Sequence, residues 1–163
     1  MQYADEILLE LLHGELVNYV AKTEVKEHGV KEGNLSTLEY FGFNTGFRII
    51  ERITKDTPRF KDELETVKYI CTELWPAVYL KPIDNLRTNH KGVFVLQDNA
   101  FRFMDKISSK NQYLDVAPLY IAFTSGLVRG ALANLGINSV VTAEVETMPI
   151  CKFHIHVDVH SNN

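Results

Sequence analysis

From Cys151 to His160 the chain alternates without a break: Cys151, Phe153, Ile155, Val157 and Val159 are apolar, and Lys152, His154, His156, Asp158 and His160 are polar. A helix buries every third or fourth residue, so strict alternation over this length specifies a half-buried β-strand. Its partner stands just upstream. INSVVTAEV also alternates, and Thr147, Met148 and Pro149 separate the two runs. With residue 144 opposite 152, Glu144 meets Lys152 and Thr142 meets His154 on one face. Val145 with Cys151, Ala143 with Phe153 and Val141 with Ile155 then make up the other. A slip of one residue would put every apolar side chain on the wrong face, so a single register is expected.

The same alternation explains the histidines. At about 3.3 Å rise per residue, His154 and Asp158 lie roughly 13 Å apart along the strand, and His154 and His160 roughly 20 Å, too far for one ion with bonds near 2 Å. Only His154 with His156 could chelate, and Thr142 and Val140 opposite them add no strong third ligand. A metal-dependent enzyme using His154 and His156 is an alternative, but the polar side reads as solvent face and no metal is expected.

The remainder is mostly helical. Ile7 to Ala21 carries a wide apolar stripe (Leu8, Leu9, Leu12, Leu16, Tyr19, Val20) opposite Glu6, Glu10, His13 and Asn18. The polar stretch 23–34, with two glycines, reads as a loop and as the segment most able to move. In LSTLEYFGFNTGFRIIERIT, Gly42 and Gly46 lie four apart and share a helical face on which another backbone can come close. A turn at FGF is the other reading. A third helix has Thr57 as N-cap, Pro58 at the first position and Phe60, Leu64, Val67, Cys71, Leu74 and Val78 as its buried stripe, with Pro76 and Pro82 kinking and ending it. Cys71 is thus a core thiol, hard to ionise, rather than a nucleophile. IDNLRTNHKGVFVL reads as a hairpin with His90 at its tip. YLDVAPLYIAFTSGLVRGALANLG reads as a fourth helix closed by Gly136, with Ala122, Gly126 and Gly130 as a ridge of small residues. Arg129, Asn134, Thr124 and Ser125 break its apolar run short of the roughly 20 residues needed to span a bilayer.

Composition narrows the function. A chain of 163 residues is long enough for one domain with a sizeable core. A net charge of -4 with scattered Lys and Arg offers no footprint for nucleic acid. Two cysteines without CxxC spacing fit a reducing compartment. No GxSxG elbow, phosphate loop, HExxH or GxGxxG is present, and GFNTG lacks the lysine a phosphate loop requires. The residues alone give an α+β chain, about four helices with antiparallel hairpins, suited to packing or partner binding.

Four segments extend this reading: FGFNTGFRIIERITKD (Phe41 to Asp56), IDNLRTNHKGVFVLQDN (Ile83 to Asn99), AFTSGLVRGALANLGINSVVTAEV (Ala122 to Val145) and MPICKF (Met148 to Phe153). In order and over nearly the whole chain they resemble the small subunits of the transport protein particle, TRAPP. They match the subunit-six type, and LRTNHKGVFVLQDN separates it from the sister subunit-three type. The resemblance implies one domain over residues 1–163, with helices on one side of a twisted antiparallel sheet, pairing with the subunit-three type. It implies membership of a cytoplasmic tethering complex, peripheral at ER–Golgi and Golgi membranes, that is a nucleotide exchange factor for a Rab GTPase. Membrane association would come through the complex only. It implies no catalytic residue and no cofactor. The family's pairing surface, built from the first two helices, maps to Leu8, Leu12, Leu16, Leu38, Phe41, Phe43 and Phe47. The sister type carries an acylated cysteine between its second and third helices, with the acyl chain in an internal channel. The equivalent KDTPRF here has no cysteine, so acylation is not carried over and a filled channel is expected. A small-ligand or lipid-binding domain of the same general fold is the alternative.

Overall fold

In a computed structural model describing residues 2–23, 32–105 and 116–158, two hairpins build one sheet. The first pairs β1 (Asn85–Thr88) with β2 (Val93–Asp98), and the second pairs β3 (Ser139–Thr147) with β4 (Ile150–Val157). They join through β2 and β4 into a four-stranded antiparallel sheet of order β1-β2-β4-β3. The β3–β4 register is the expected one, with Glu144 opposite Lys152, Thr142 opposite His154 and Val141 opposite Ile155. Cys151, Phe153 and Ile155 are buried, whereas His156 is exposed. Val159 and His160 lie outside the described residues. The NHKG turn of the first hairpin places His90 (φ 56°) and Gly92 (φ 80°) in the left-handed region. Asn89 Oδ1 holds it by accepting from the Lys91 and Val93 amides at 2.8 and 3.1 Å.

Helices cover the apolar face of the sheet: α1 (Gln2–Thr23), α2 (Glu32–Ile53), α3 (Glu63–Tyr69), α4 (Trp75–Tyr79), α5 (Arg102–Asp105) and α6 (Ala117–Asn134). Helix thus claims Thr23 and residues 32–34 of the expected loop, and residues 24–31 lie outside the described set. The fourth helix starts later than expected, at Ala117, with residues 113–115 also outside that set. It ends at Asn134 with Leu135 as its cap, one residue before the expected Gly136, which follows in the left-handed region at φ 84°. The second helix runs unbroken through both glycines because α6 fills the space they leave. A Cβ at Gly42 or Gly46 would fall well under 3.0 Å from the Phe123 or Leu127 carbonyl, and one at Gly126 or Gly130 would meet the Glu39 or Phe43 carbonyl equally closely.

The third helical segment corrects the sequence reading. Its N-cap is Asp62, not Thr57: the Asp62 carboxylate accepts the Glu65 amide at 2.7 Å, while Glu65 accepts the Lys61 amide at 2.6 Å. Asp62 thereby satisfies a first-turn donor that Thr57 would have left open, and Glu65 ties down the amide just ahead of the cap. Pro76 disturbs the segment, as expected, without ending it. Lacking an N–H, it cannot close an ordinary turn, and Ile70–Leu74 between α3 and α4 widens into a π turn. The Trp75 amide bonds the Ile70 carbonyl, and the Cys71 carbonyl is taken by the Ile83 amide at 3.2 Å. Leu80, in the left-handed region at φ 63°, stops the helix.

Between helices and sheet, Trp75, Phe101 and Phe153 are fully buried, their rings meeting at 5.3–6.4 Å. Trp75 Nε1 donates to Asp98 Oδ2 at 2.9 Å. Asp98, with no exposed surface, also accepts the Lys81 ammonium (2.6 Å) and the Ala100 amide (3.0 Å) through Oδ1. Lys81 bridges further to Asp84 at 2.6 Å. Burial opposes the Lys81 charge, but hydrogen bonds to both aspartates outweigh it and leave its pKa raised.

The glycines divide into two kinds, which sets a stability test. Gly42→Ala and Gly126→Ala should each destabilise by about 2–3 kcal/mol or more, since a methyl must push two helix backbones apart. Gly14→Ala, with nothing within 4 Å of its Cβ position, should stabilise by about 0.5–1 kcal/mol. Urea unfolding of the three variants measures both signs. The same measurement on Asp98→Ala should show a loss of about 3 kcal/mol, because Trp75 and Lys81 lose their buried acceptor.

Candidate partner interface

Helix α1 has more apolar surface than the fold can cover. Its C-terminal half is clamped, with Val17 and Val20 buried beside Leu38, Leu119 and Ala122 and with Leu16 packed against them. Its N-terminal half is not. Ile7, Leu8, Leu11 and Leu12 are 49%, 61%, 60% and 68% exposed, an arrangement that in a soluble chain marks an interaction surface. Helix α2 repeats this in aromatic form. Its glycine-bearing side is spent on α6, so Tyr40, Phe41 and Phe47 are exposed. Phe43 is half-buried, stacked on Phe47 at 6.2 Å with the Arg129 guanidinium 5.2 Å from its ring centre.

Of the interface residues expected from sequence, Leu8, Leu12, Phe41 and Phe47 are exposed, and Leu16 and Phe43 are half-buried. Leu38 is a correction. It is fully buried, because it lies four residues before Gly42 on the line that continues through Gly46 and Ile50 into the interior. Ile7, Leu11 and Tyr40 were missed. Ile7 and Leu11 could have been found, since they lie four apart and Leu11 stands three residues after Leu8, spacings that share a helical face.

His13 is the second correction. Placed by sequence on the solvent side of α1, it is buried, with its ring stacked on Phe103 at 3.7 Å and 10° and with Tyr120 and Phe123 close by. Helix α5, a short turn not anticipated from sequence, covers that side. Arg102 brings its Nε to 2.7 Å from Glu10 Oε1. Burial lowers the His13 pKa from 6.5 to about 4, so the imidazole is neutral near pH 7. Its Nε2 has no hydrogen-bond partner among the described residues. The ring lines a pocket of about 190 Å³ with Leu11, Gly14, Phe103 and Tyr120.

The other candidates carry less. His154 Nε2 lies 3.0 Å from Glu144 Oε1 on the open sheet face, and no group of metal-ligating side chains occurs among the described residues. Cys71 and Cys151 are buried; burial pushes the Cys71 thiol up to about 12 and the Cys151 thiol higher still. His90 is exposed at its turn, and no helix among the described residues is long and apolar enough to cross a membrane.

Comparisons with known proteins agree in direction. The family model described as transport protein particle (TRAPP) component matches residues 9–158. The chain is 54% identical to trafficking protein particle complex subunit 6b of Danio rerio and to subunit 6B of Homo sapiens, in each case over 94% of this chain and 98% of the relative. Identity to subunit 6A of Homo sapiens is 46%, over 93% and 96%. Among solved structures, a trafficking protein particle complex subunit 3 from Naegleria fowleri, covalently bound to palmitic acid, superposes with a TM-score of 0.68. At 15% identity over 93% of this chain and 96% of that one, this is a likeness of fold.

The buried imidazole gives the chain a pH signature. The unfolded chain takes up the His13 proton near pH 6.5 and the folded chain only near 4, so between these values the unfolded state holds more protons and stability falls as pH falls. The full difference is about 3 kcal/mol. Denaturation midpoints measured from pH 7.5 to 4 should show a decline in the native chain that is shallower by this amount in His13→Phe.

Proposed function

The chain belongs to the transport protein particle (TRAPP) component family and is of its subunit-six type, and from that premise we propose that it works as a non-catalytic assembly subunit. In this reading the whole of residues 1–163 forms one domain that pairs one-to-one with a subunit-three-type protein through α1 and α2. The pair then joins a tethering complex that exchanges nucleotide on a Rab GTPase at ER–Golgi and Golgi membranes, held there peripherally and only through the complex. One observation carries the reading. Ile7, Leu8, Leu11 and Leu12 on α1, with Tyr40, Phe41 and Phe47 on α2, remain exposed although the chain has a well-filled core of its own. Apolar side chains of this size on two of the longest helices are what an obligate partner would cover.

The acyl-binding reading is weaker. The Naegleria fowleri neighbour holds palmitic acid covalently, but in this chain the stretch from Lys55 to Phe60 has no cysteine. Trp75, Phe101 and Phe153 crowd the interior, and Cys71 is a buried, poorly ionised thiol.

Isothermal titration with the subunit-three-type protein of the same organism should give a one-to-one complex tighter than micromolar. The double variant Leu8→Glu, Leu12→Glu should lose at least a hundredfold in affinity while its own melting temperature stays within a few degrees, because both side chains are exposed in the free chain. No binding at micromolar concentration would sink the proposal.

A further inference from the structure

The sheet ends on two unlike edges. β1 is four residues long, which leaves little ladder for another strand to join. β3 is nine residues long and stands at the opposite end, paired only with β4. Its register fixes which way its backbone points. The Asp158 amide donates to the Asn138 carbonyl at 3.0 Å, so these two residues form a hydrogen-bonded pair. By alternation so do Val140 with His156, Thr142 with His154 and Glu144 with Lys152. The N–H and C=O groups of Val141, Ala143 and Val145 therefore point away from β4. Among the described residues none of these groups finds a hydrogen-bond partner.

Little on β3 guards that edge. Sheet edges are commonly blunted by lysine, proline or a bulge. Residues 139–145 hold no lysine, arginine or proline, and the irregularity in the pairing comes only after Val145. Nor is the edge a closed seam. A groove of about 220 Å³ runs beside it, lined by Val141 and Ala143 of β3, Leu35 and Glu39 of α2, and Pro118 and Ala122 of α6. That is room for an inward-facing side chain next to an added backbone.

Donors and acceptors at this spacing are met by another β-strand, and the charge beside them says which kind. Glu144 is exposed on β3, and Glu39, half-buried and without an ion-pair partner among the described residues, lines the groove. β3 itself has no basic residue. A second copy pairing β3 with β3 would thus bring further glutamate to the edge, whereas a strand carrying Lys or Arg complements it.

We propose that the sheet is completed by a fifth strand, an extended segment of another protein with basic side chains, that pairs along Val141–Val145 and lays an inward side chain in the groove. This goes beyond the assembly reading above. No side chain of α1 contributes to the site, so the chain has a second place at which a neighbour can be held.

A short synthetic peptide of alternating valine and lysine probes the edge on the full chain. Amide hydrogen exchange should slow at Val141, Ala143 and Val145 when the peptide is added. A fully N-methylated form keeps the side chains but loses the ladder, and should bind more than about tenfold more weakly. Glutamate in place of lysine should weaken binding about threefold. Ala143→Pro removes an amide that the fold leaves unused, so the chain should melt within a few degrees of the native one and lose the peptide. The Leu8→Glu, Leu12→Glu chain should bind the peptide like the native chain. Equal binding of the N-methylated peptide, or unchanged exchange at the three amides, overturns the fifth strand. Equal binding of the glutamate peptide overturns the basic partner. Exchange that is already slow in the chain alone overturns the proposal too: if it slows further with chain concentration, a second copy covers the edge, and if not, the chain covers it itself. Failure of the subunit-three-type protein to bind overturns the assembly reading alone.

Discussion

The contact on which the rest of the structure depends is between two backbones. Gly42 and Gly46 on α2 face the Phe123 and Leu127 carbonyls of α6, and Gly126 and Gly130 on α6 face those of Glu39 and Phe43. Each helix presents its thinnest side to the other, and no side chain separates them. Dispersion between main chains at this distance is strong, and the crossing admits almost no sliding, because any other register would drive a side chain into a carbonyl. The crossing also disposes of α6. With α2 on one flank and the sheet on the other, Leu119 to Leu132 are largely buried, and Arg129 emerges beside Phe43.

The exposed surface follows from this economy. Because glycines take the inner side of α2, its large side chains must go elsewhere. Ile50 enters the main core, Leu38 joins a smaller cluster with Val17 and Val20, and Tyr40, Phe41 and Phe47 are left outside. Only the smaller cluster anchors the C-terminal half of α1. Towards its start, α1 meets the short α5 through Glu10 and His13, a contact too small to cover Ile7, Leu8, Leu11 and Leu12. The uncovered faces are therefore a product of how the interior closes.

The sequence made the sheet legible and the helix ends less so. Alternation is a period-two signal with one solution, and the β3–β4 pairs from Val141–Ile155 to Val145–Cys151 appear as read. The glycine spacing announced a close approach on each helix but could not say that the two spines face each other, which is a fact of tertiary structure. Thr57 was a sound cap by type. Asp62 prevails because the Glu65 amide reaches its carboxylate, while the Glu65 carboxylate holds the Lys61 amide just ahead of it. His13 was misplaced since a helical wheel knows only two sides, and here a four-residue helix, too short to leave a periodic signal, covers the polar one. Leu38 was assigned to the interface by resemblance, although its spacing from Gly42 already placed it on the inward line.

The distribution of ionisable groups argues for the same division of labour. Several of the ionisable side chains among the described residues are sealed or committed, whereas His90 and His156 are exposed. Burial raises the pKa of Cys71, Cys151 and Tyr79, and the Tyr79 hydroxyl shares a hydrogen bond with the Thr124 hydroxyl at 2.6 Å. Asp98 is saturated by Trp75, Lys81 and the Ala100 amide, and Asp84 by Lys81 and the Asn99 amide at 2.7 Å. These contacts are satisfied within the chain and need nothing from outside it. His13 differs, being buried among aromatic rings, neutral, and without a partner for Nε2, beside the helix surface that the fold leaves bare. A buried nitrogen without a bond is destabilising to the free chain, and so is exposed leucine. The nitrogen is sealed within the chain, whereas the leucines stand outside it.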